Sequence, residues 1–262
     1  MPEVVAVRRE AGVVHLTLNR PELRNAMSLE MVEALLARLS EAEDAGDRMI
    51  VLRGAGGHFC SGGDIKDMGA AQAQPATDVD PVAEVNARFG ALCAAYAETG
   101  LPVICVVEGA VMGGGFGLAC VADVVIADES AVFRLPETGL GLVPAQIAPF
   151  LVERLGYSQA RRLAVTGGKL DAAAALHLGL VHEVCTGEEA LQTALAATVE
   201  QIKKGAPNAI SATKKLVRRA RLEDPSTLVA DAAGVFAKAA RGPEGAEGMT
   251  AFLEKRKPKW AV

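Results

Sequence analysis

Two glycine-rich segments are the parts of this 262-residue sequence best suited to chemistry, residues 54–64 (GAGGHFCSGGD) and 109–117 (GAVMGGGFG). Each follows an apolar stretch that predicts a strand. Glycine lets a ligand approach the main chain, and a turn that opens a helix points its N–H groups at arriving negative charge. Two such N–H groups converging from separate turns would form an oxyanion hole, which stabilises charge on a carbonyl oxygen. Either turn alone is explained equally well by close packing of a helix against a strand.

Glu137 is the acidic residue that the sequence singles out. It lies in RLPETGLGLVP, just after a short predicted strand and among apolar neighbours. A carboxylate in apolar surroundings has a raised pKa and can exchange protons near neutrality. The alternative is an exposed turn residue following a proline.

Other glycine and nucleophile motifs are excluded. Phe59 stands where a dinucleotide-binding fold needs its third glycine, and no GK[ST] sequence builds a nucleotide loop. FCSGG is not the GxSxG turn of an acyl hydrolase, and no base is evident for Ser61. The histidines lack metal-ligand spacing, so no metal site is predicted, and surface or packing roles are expected for all four. They are His15, His58, His177 and His182.

The surrounding pattern predicts an α/β core followed by helices. Strands are predicted at 4–7, 13–19, 49–53, 102–108, 124–127, 131–133 and 181–184. Helices are predicted at 28–46, 81–99, 113–121, 187–204, 207–222 and 225–240, with a further helix at the C-terminus. Residues 69–80 are expected to form a flexible loop.

Composition narrows the class of protein. The net charge of −5 argues against nucleic acid or an anionic membrane as the main partner. The basic stretch from Lys214 to Arg221 fits a solvated helix face, and no apolar run reaches the ~20 residues of a membrane span. Five cysteines without a CxxC pair, and no secretory signal, predict reduced, mostly buried thiols and a cytoplasmic protein.

Taken together, these segments resemble the enoyl-CoA hydratase/isomerase (crotonase) superfamily over nearly the whole chain. The matching segments are, in order, LTLNRPELRNAMS, GAGGHFCSGGDIKDM, VVEGAVMGGGFGLACVADVVIA, FRLPETGLGLVPAQ, GGKLDAAAALHLGLVHEV and FLEKRKPKW. Six segments in the family's order make the resemblance specific. The segment LVPAQIAPFLVERLG is most similar to the isohexenylglutaconyl-CoA and methylglutaconyl-CoA hydratase-like branch.

The resemblance implies a particular fold and assembly. It implies a crotonase-type spiral of ββα repeats over residues 1–200, which carries the acyl-CoA site. Residues 201–262 would form a helical region that mediates trimerisation, with trimers often paired into hexamers. No cofactor is implied, because coenzyme A enters as part of the substrate.

The resemblance also implies roles for individual residues. The N–H groups of Gly63 and Gly114 would hold the thioester oxygen, and Glu137 would act as acid and base. Further acyl-CoA contacts, the last two to a neighbouring subunit's coenzyme A, are expected from Arg24, Ser61, Asp64, Ile65, Lys66, Phe252 and Lys255.

One departure from the family pattern bears on the reaction. Typical hydratases carry a first catalytic glutamate two residues beyond the third glycine of the GGG run, and here that position is Gly117. Hydration of a 2-enoyl-CoA, branched in its acyl chain, is the leading interpretation. Δ3–Δ2 enoyl-CoA isomerisation by Glu137 alone is the alternative, followed by a non-catalytic relative that binds CoA or RNA. Glu108 and Asp123 are expected to have structural roles at strand ends.

Overall fold

The computed structural model describes residues 3–75, 78 and 80–261. The strands are β1 (Val5–Glu10), β2 (Val13–Leu18), β3 (Met49–Gly54), β4 (Val103–Val107), β5 (Ala110–Met112), β6 (Val124–Asp128), β7 (Val132–Arg134), β8 (Lys169–Asp171) and β9 (Glu183–Cys185). The helices are α1 (Leu29–Asp44), α2 (Ile65–Gln72), α3 (Pro81–Glu98), α4 (Gly114–Val121), α5 (Ala148–Thr166), α6 (Ala172–His177), α7 (Glu188–Lys203), α8 (Pro207–Ala220), α9 (Pro225–Arg241) and α10 (Pro243–Leu253).

Two sheets organise the strands. The larger sheet has the order β1-β2-β3-β4-β6-β9, in which β1 and β2 form an antiparallel hairpin and the other neighbours are parallel. The smaller sheet has the order β5-β7-β8. Every residue of β4 (VICVV) is buried, as expected for a parallel strand covered on both faces. The sequence therefore predicted an α/β fold correctly.

The sheet order determines where the glycine turns lie. β3 and β4 are parallel neighbours, paired from Ile50 with Val103 to Leu52 with Cys105. The first glycine segment follows β3 and the second follows β4. Because parallel neighbours end at the same edge of a sheet, both segments begin at that edge.

Helix starts follow their capping residues. Ser28 accepts a hydrogen bond from the Met31 N–H and begins α1, as predicted. Asp64 accepts one from the Lys66 N–H and begins α2, which runs to Gln72. The predicted loop at 69–80 is therefore wrong for its first residues, because the Asp64 cap starts a helix that the alanine-rich sequence continues. Residues 76, 77 and 79 of that prediction lie outside the described residues.

The chain divides into two compact units. The first contains the residues up to Ala97 together with Val103–Leu195, and the second contains Glu98–Pro102 and the residues from Ala196 onward. Both sheets belong to the first unit, and α8, α9 and α10 belong to the second. The functional assignment of residues 1–200 and 201–262, including trimerisation, stays a prediction.

The remaining sequence features have structural explanations. All five cysteines are buried and unpaired. Within the second unit, Lys214 Nζ donates to the Leu101 carbonyl at 2.6 Å and Arg218 pairs with Glu98 at 2.6 Å, so part of the basic stretch is engaged in the fold. None of the helices in the described part of the chain is long and apolar enough to cross a membrane.

Candidate active site

The first glycine segment is held by hydrogen bonds to β5. The Cys60 N–H donates to the Ala110 carbonyl at 2.9 Å, and the Met112 N–H donates to the Cys60 carbonyl at 2.8 Å. The Ser61 N–H donates to the Arg24 carbonyl at 3.0 Å. Cys60 and Ser61, which precede Gly62 and Gly63, are thus held from two sides.

Asn25 is a residue of this region that the sequence analysis did not single out. It is fully buried, its Nδ2 donates to the carbonyls of Ala55 (2.9 Å) and His58 (2.7 Å), and its Oδ1 accepts from the Arg20 N–H at 2.9 Å. Its φ of 56° is one that asparagine tolerates better than most residues. Asn25 therefore ties the start of the first glycine segment to the preceding turn, and the only sequence signal was its place in NRPELRNAMS.

The Gly63 N–H makes no backbone hydrogen bond within the described part of the chain. Gly63 pairs with Met27 in an isolated parallel bridge, in which the Met27 N–H donates to the Gly62 carbonyl at 2.8 Å and the Asp64 N–H to the Met27 carbonyl at 2.9 Å. Met27 makes both bonds of this parallel bridge with the two neighbours of Gly63, so the Gly63 N–H points away from Met27. Gly63 is exposed, so a ligand can reach this donor.

The second glycine segment offers a matching donor. The Gly113 N–H donates to the Arg134 carbonyl at 3.0 Å, and Gly113 turns the chain into α4 with a φ of 49° that favours glycine. Gly114 is the first residue of α4, so its N–H has no acceptor within the helix. The helix dipole adds partial positive charge at the same place.

The two segments lie directly against each other. A Cβ added to Gly113 would lie 3.4 Å from the Gly62 Cα and 2.9 Å from Glu137 Oε1. A Cβ added to Gly115 would lie 2.7 Å from the Cys60 Cβ. The residues preceding both donors, and the Glu137 carboxylate, therefore meet at one place.

Gly115→Ala should lower the stability of the protein because of this close approach. The added Cβ would force Cys60 and α4 apart, and overpacking of this kind costs about 1–3 kcal/mol of unfolding free energy. Denaturant unfolding measures it. Gly69→Ala in α2 is the control, since nothing lies within 4 Å of its added Cβ, and equal stability of the two variants would contradict the packing argument.

Glu137 begins a short 3-10 turn (Glu137–Leu140) and is half-buried. Its Oε2 atom is buried and has no hydrogen-bond partner among the described residues. Burial raises the pKa of the Glu137 carboxyl above its ordinary value. A buried carboxylate oxygen without a partner, close to the turns that carry Gly63 and Gly114, is suited to taking and returning a proton.

Apolar groups surround Gly117, the position at which typical hydratases carry their first catalytic glutamate. A Cβ added to Gly117 would lie 3.2 Å from Ile147 Cγ1 and 3.3 Å from the Phe89 ring. Neither of the two other carboxylates that the sequence analysis considered takes the place of this glutamate. Glu108 pairs with Arg53 at 3.0 Å, and Asp123 Oδ2 accepts from the Val103 N–H at 2.7 Å, so both are structural, as predicted.

The predicted CoA-path residues of the first unit cluster around Gly63. Ser61 Oγ donates to the Leu23 carbonyl at 3.0 Å, and Arg24 is exposed beside it. Ile65 and Lys66 are exposed at the start of α2.

Asp64 differs from these neighbours because its carboxylate is already engaged. It is buried and pairs with Arg20 at 2.8 Å in addition to capping α2. Burial opposes ionisation, but the Lys66 N–H and the Arg20 guanidinium hold the pKa of Asp64 below its usual value. These contacts position Gly63 and α2, and the CoA contact expected of Asp64 stays a prediction.

Phe252 and Lys255 lie in the second unit, at and just beyond the end of α10. Both are exposed, and Lys255 has a φ of 54°. The contact to a neighbouring subunit's coenzyme A expected of them stays a prediction.

Two histidines act as backbone acceptors rather than metal ligands. His58 Nδ1 accepts from the Ala110 N–H at 3.1 Å, and His182 Nδ1 accepts from the Val125 N–H at 2.9 Å. Across the described ranges, no group of three or more His, Cys, Asp or Glu side chains could hold a metal ion.

Comparison with solved structures identifies the fold. The chain superposes with a TM-score of 0.96 on the crystal structure of an enoyl-CoA hydratase/isomerase from Marinobacter aquaeolei, at 50% sequence identity and over 99% of this chain and 100% of that one. The α/β fold with its two glycine turns is that of the crotonase superfamily.

Sequence comparisons agree with this class. The family model for enoyl-CoA hydratase/isomerase matches residues 8–262. A probable enoyl-CoA hydratase (echA8) of Mycobacterium bovis is 32% identical over 98% of each chain. The 1,2-epoxyphenylacetyl-CoA isomerase of Escherichia coli is also 32% identical, over 99% of each chain. The chain belongs to the enoyl-CoA hydratase/isomerase family.

Proposed function

We propose that this protein is an enoyl-CoA hydratase, which adds water across the double bond of a 2-enoyl-CoA. The observation that carries the proposal is the meeting of the Gly62–Gly63 and Gly113–Gly114 turns with the Glu137 carboxylate, whose Oε2 atom has no hydrogen-bond partner among the described residues. The hydratase name of the mycobacterial relative supports it.

The two glycine N–H groups would carry the electrostatic part of the reaction. As the nucleophile adds at the β carbon, negative charge moves through the conjugated system onto the thioester oxygen and gives an enolate. The N–H groups of Gly63 and Gly114 bind that oxygen more strongly as its charge grows, which lowers the barrier. Both donors belong to a fixed backbone, so little reorganisation is needed at the moment of reaction.

Glu137 would carry the proton transfers by itself. Its carboxylate takes a proton from water while the water oxygen bonds to the β carbon. The resulting carboxylic acid then returns that proton to the α carbon, and the enolate collapses to the 3-hydroxyacyl thioester. One water molecule supplies both added groups, and Glu137 ends the cycle ionised, so a second carboxylate is not required by the proton balance.

The remaining predictions about the ligand and its surroundings belong to the same proposal. Arg24, Ser61, Ile65 and Lys66 would line the path of coenzyme A, since they surround the exposed Gly63. Phe252 and Lys255 of a neighbouring subunit would complete it in a trimer or hexamer. We propose a branched acyl chain from the resemblance to the isohexenylglutaconyl-CoA and methylglutaconyl-CoA branch, and a cytoplasmic location.

Enoyl-CoA isomerisation is the second candidate, and the apolar surroundings of Gly117 favour it. Phe89 and Ile147 offer no hydrogen bond to a water molecule, whereas a bound water ordinarily has about three polar partners. In isomerisation Glu137 takes a proton from C2 of a 3-enoyl-CoA and returns it to C4, with no water involved. The isomerase among the relatives is consistent with this reaction in the same family.

A binding protein without turnover is the third reading. The hydrogen bond of Lys214 and the ion pair of Arg218 use part of the basic stretch within the fold, which argues against RNA binding. Tight acyl-CoA binding without turnover across a substrate panel would favour the CoA-binding form.

Ultraviolet absorbance with two substrates separates the two reactions. Hydration of a 2-enoyl-CoA removes the absorbance of the conjugated enoyl thioester, whereas isomerisation of a 3-enoyl-CoA creates it. We expect loss of absorbance with the 2-enoyl substrate and formation of the 3-hydroxyacyl-CoA, checked by mass. Gain of absorbance with the 3-enoyl substrate alone would replace the hydratase proposal by the isomerase.

A further inference from the structure

The ring of Phe89 forms one wall of the candidate active site. Phe89 lies in α3, and its Cε2 and Cζ atoms would be 3.2 Å from a Cβ added to Gly114. Its Cζ atom would be 3.3 Å from a Cβ added to Gly117, one turn further along α4. The ring therefore covers the first turn of α4, including the residue that carries a proposed thioester-oxygen donor.

Neighbouring contacts keep this wall in place. Ile147 lies 3.2 Å from the added Cβ of Gly117 and is buried. The adjacent Gln146 donates through Nε2 to Asn86 Oδ1 at 3.0 Å, and Asn86 lies in α3 one turn before Phe89. The Gln146 amide lies directly against Gly90, where an added Cβ would be 2.1 Å from Gln146 Oε1. A hydrogen bond thus joins the segment after Glu137 to α3 one turn before Phe89.

The wall limits the space next to the thioester. An oxygen held by the Gly114 N–H lies about 3 Å from that nitrogen, and the acyl α carbon lies two bonds from the oxygen. The ring packs on the residue that carries this nitrogen, so it lies close to the volume that a substituent on the α carbon would enter. A side chain at position 117 would press on the same ring, since its Cβ would lie 3.3 Å from the Phe89 Cζ atom.

We propose that Phe89 is a specificity-determining residue, which excludes acyl-CoA substrates with a substituent on the α carbon and restricts branching to the β carbon or beyond. The inference rests on the proposed function in requiring that acyl-CoA binds with its thioester oxygen at Gly63 and Gly114. It goes further by assigning a substrate class and the residue that selects it.

Butyryl-CoA and isobutyryl-CoA test the inference by binding alone. The two compounds are isomers in which the fourth carbon either extends the chain or forms an α-methyl branch. Neither can be hydrated, so calorimetric Kd values do not depend on turnover. The native protein should bind butyryl-CoA more tightly. Phe89→Ala should lower the ratio of the isobutyryl-CoA Kd to the butyryl-CoA Kd by ~10-fold or more, within the range for one methyl group in an apolar pocket.

Control measurements separate the role of Phe89 from the proposed function on which it rests. Val82→Ala, an exposed position on the same helix, should leave the ratio unchanged. Phe89→Leu, a milder variant for use if Phe89→Ala does not fold, should lower the ratio by a smaller factor. An unchanged ratio in a folded Phe89 variant, or equal binding of both compounds by the native protein, overturns the role of Phe89. Binding of neither compound by the native protein overturns the proposed function, and the inference with it.

Discussion

Glu137→Gln is expected to lower kcat for the proposed hydration by ~10²- to 10⁴-fold, the range for loss of a general acid–base group. Glutamine keeps the size and one oxygen of the side chain but can neither take the proton of water nor return it to the α carbon. KM should change little, because the thioester donors belong to the backbone. Steady-state kinetics with a 2-enoyl-CoA measures both parameters.

Glu84→Gln is the matched control for this substitution, since it makes the same chemical change on the exposed part of α3. Its kcat should equal that of the native protein. Native turnover by Glu137→Gln would show that Glu137 does not transfer the proton and would remove the basis of both enzymatic candidates.

The raised pKa of Glu137 also predicts the pH dependence of hydration. The carboxylate is the form that takes the proton of water, so kcat/KM should fall as the pH drops through the pKa of Glu137 in the protein. Because burial raises that pKa, the fall should occur at a higher pH than for an ordinary glutamate. A kcat/KM that stays constant down to the ordinary pKa of glutamate would contradict this environment for the carboxyl.

Replacement of one backbone N–H of the proposed oxyanion hole by an ester oxygen should lower kcat by ~10²- to 10³-fold, or about 3 kcal/mol of transition-state stabilisation. Incorporation of glycolic acid in place of Gly63 or of Gly114 makes this change without adding a side chain. Each variant should lose most in kcat, since the hydrogen bond strengthens as charge develops on the thioester oxygen. Single-turnover kinetics with a 2-enoyl-CoA isolates the chemical step.

The same ester placed at Gly69, inside α2, is the control. It removes a backbone donor of the same kind from a helix and should leave kcat close to the native value. If the esters at Gly63 and Gly114 behaved like the one at Gly69, the two N–H groups would not hold the reacting oxygen.

The sequence predicted the parts of the site that local rules determine. The two glycine segments were recognisable because each follows an apolar strand, and the Ser28 cap and the apolar setting of Glu137 were readable from their immediate neighbours. The meeting of the two segments then follows from the parallel pairing of β3 with β4, which a strand–helix–strand pattern favours.

The parts that tertiary contacts determine were not predicted. The sequence analysis did not predict β5 and β8, which are short and both pair with β7, a strand distant from each of them in the sequence. Asn25 is an ordinary turn residue in the sequence, and its burial depends on carbonyls some 30 residues away. The sequence analysis noted the glycine at position 117 but did not predict that the Phe89 ring lies against it, because that contact joins α3 to α4.

A crystal structure with a bound saturated acyl-CoA tests the central claim most directly, because such a ligand occupies the site without reacting. We expect the thioester oxygen to lie about 3 Å from both the Gly63 and the Gly114 nitrogen atoms, with the Glu137 carboxylate facing the α and β carbons. A thioester oxygen more than about 4 Å from either nitrogen, beyond hydrogen-bonding distance, would contradict the account.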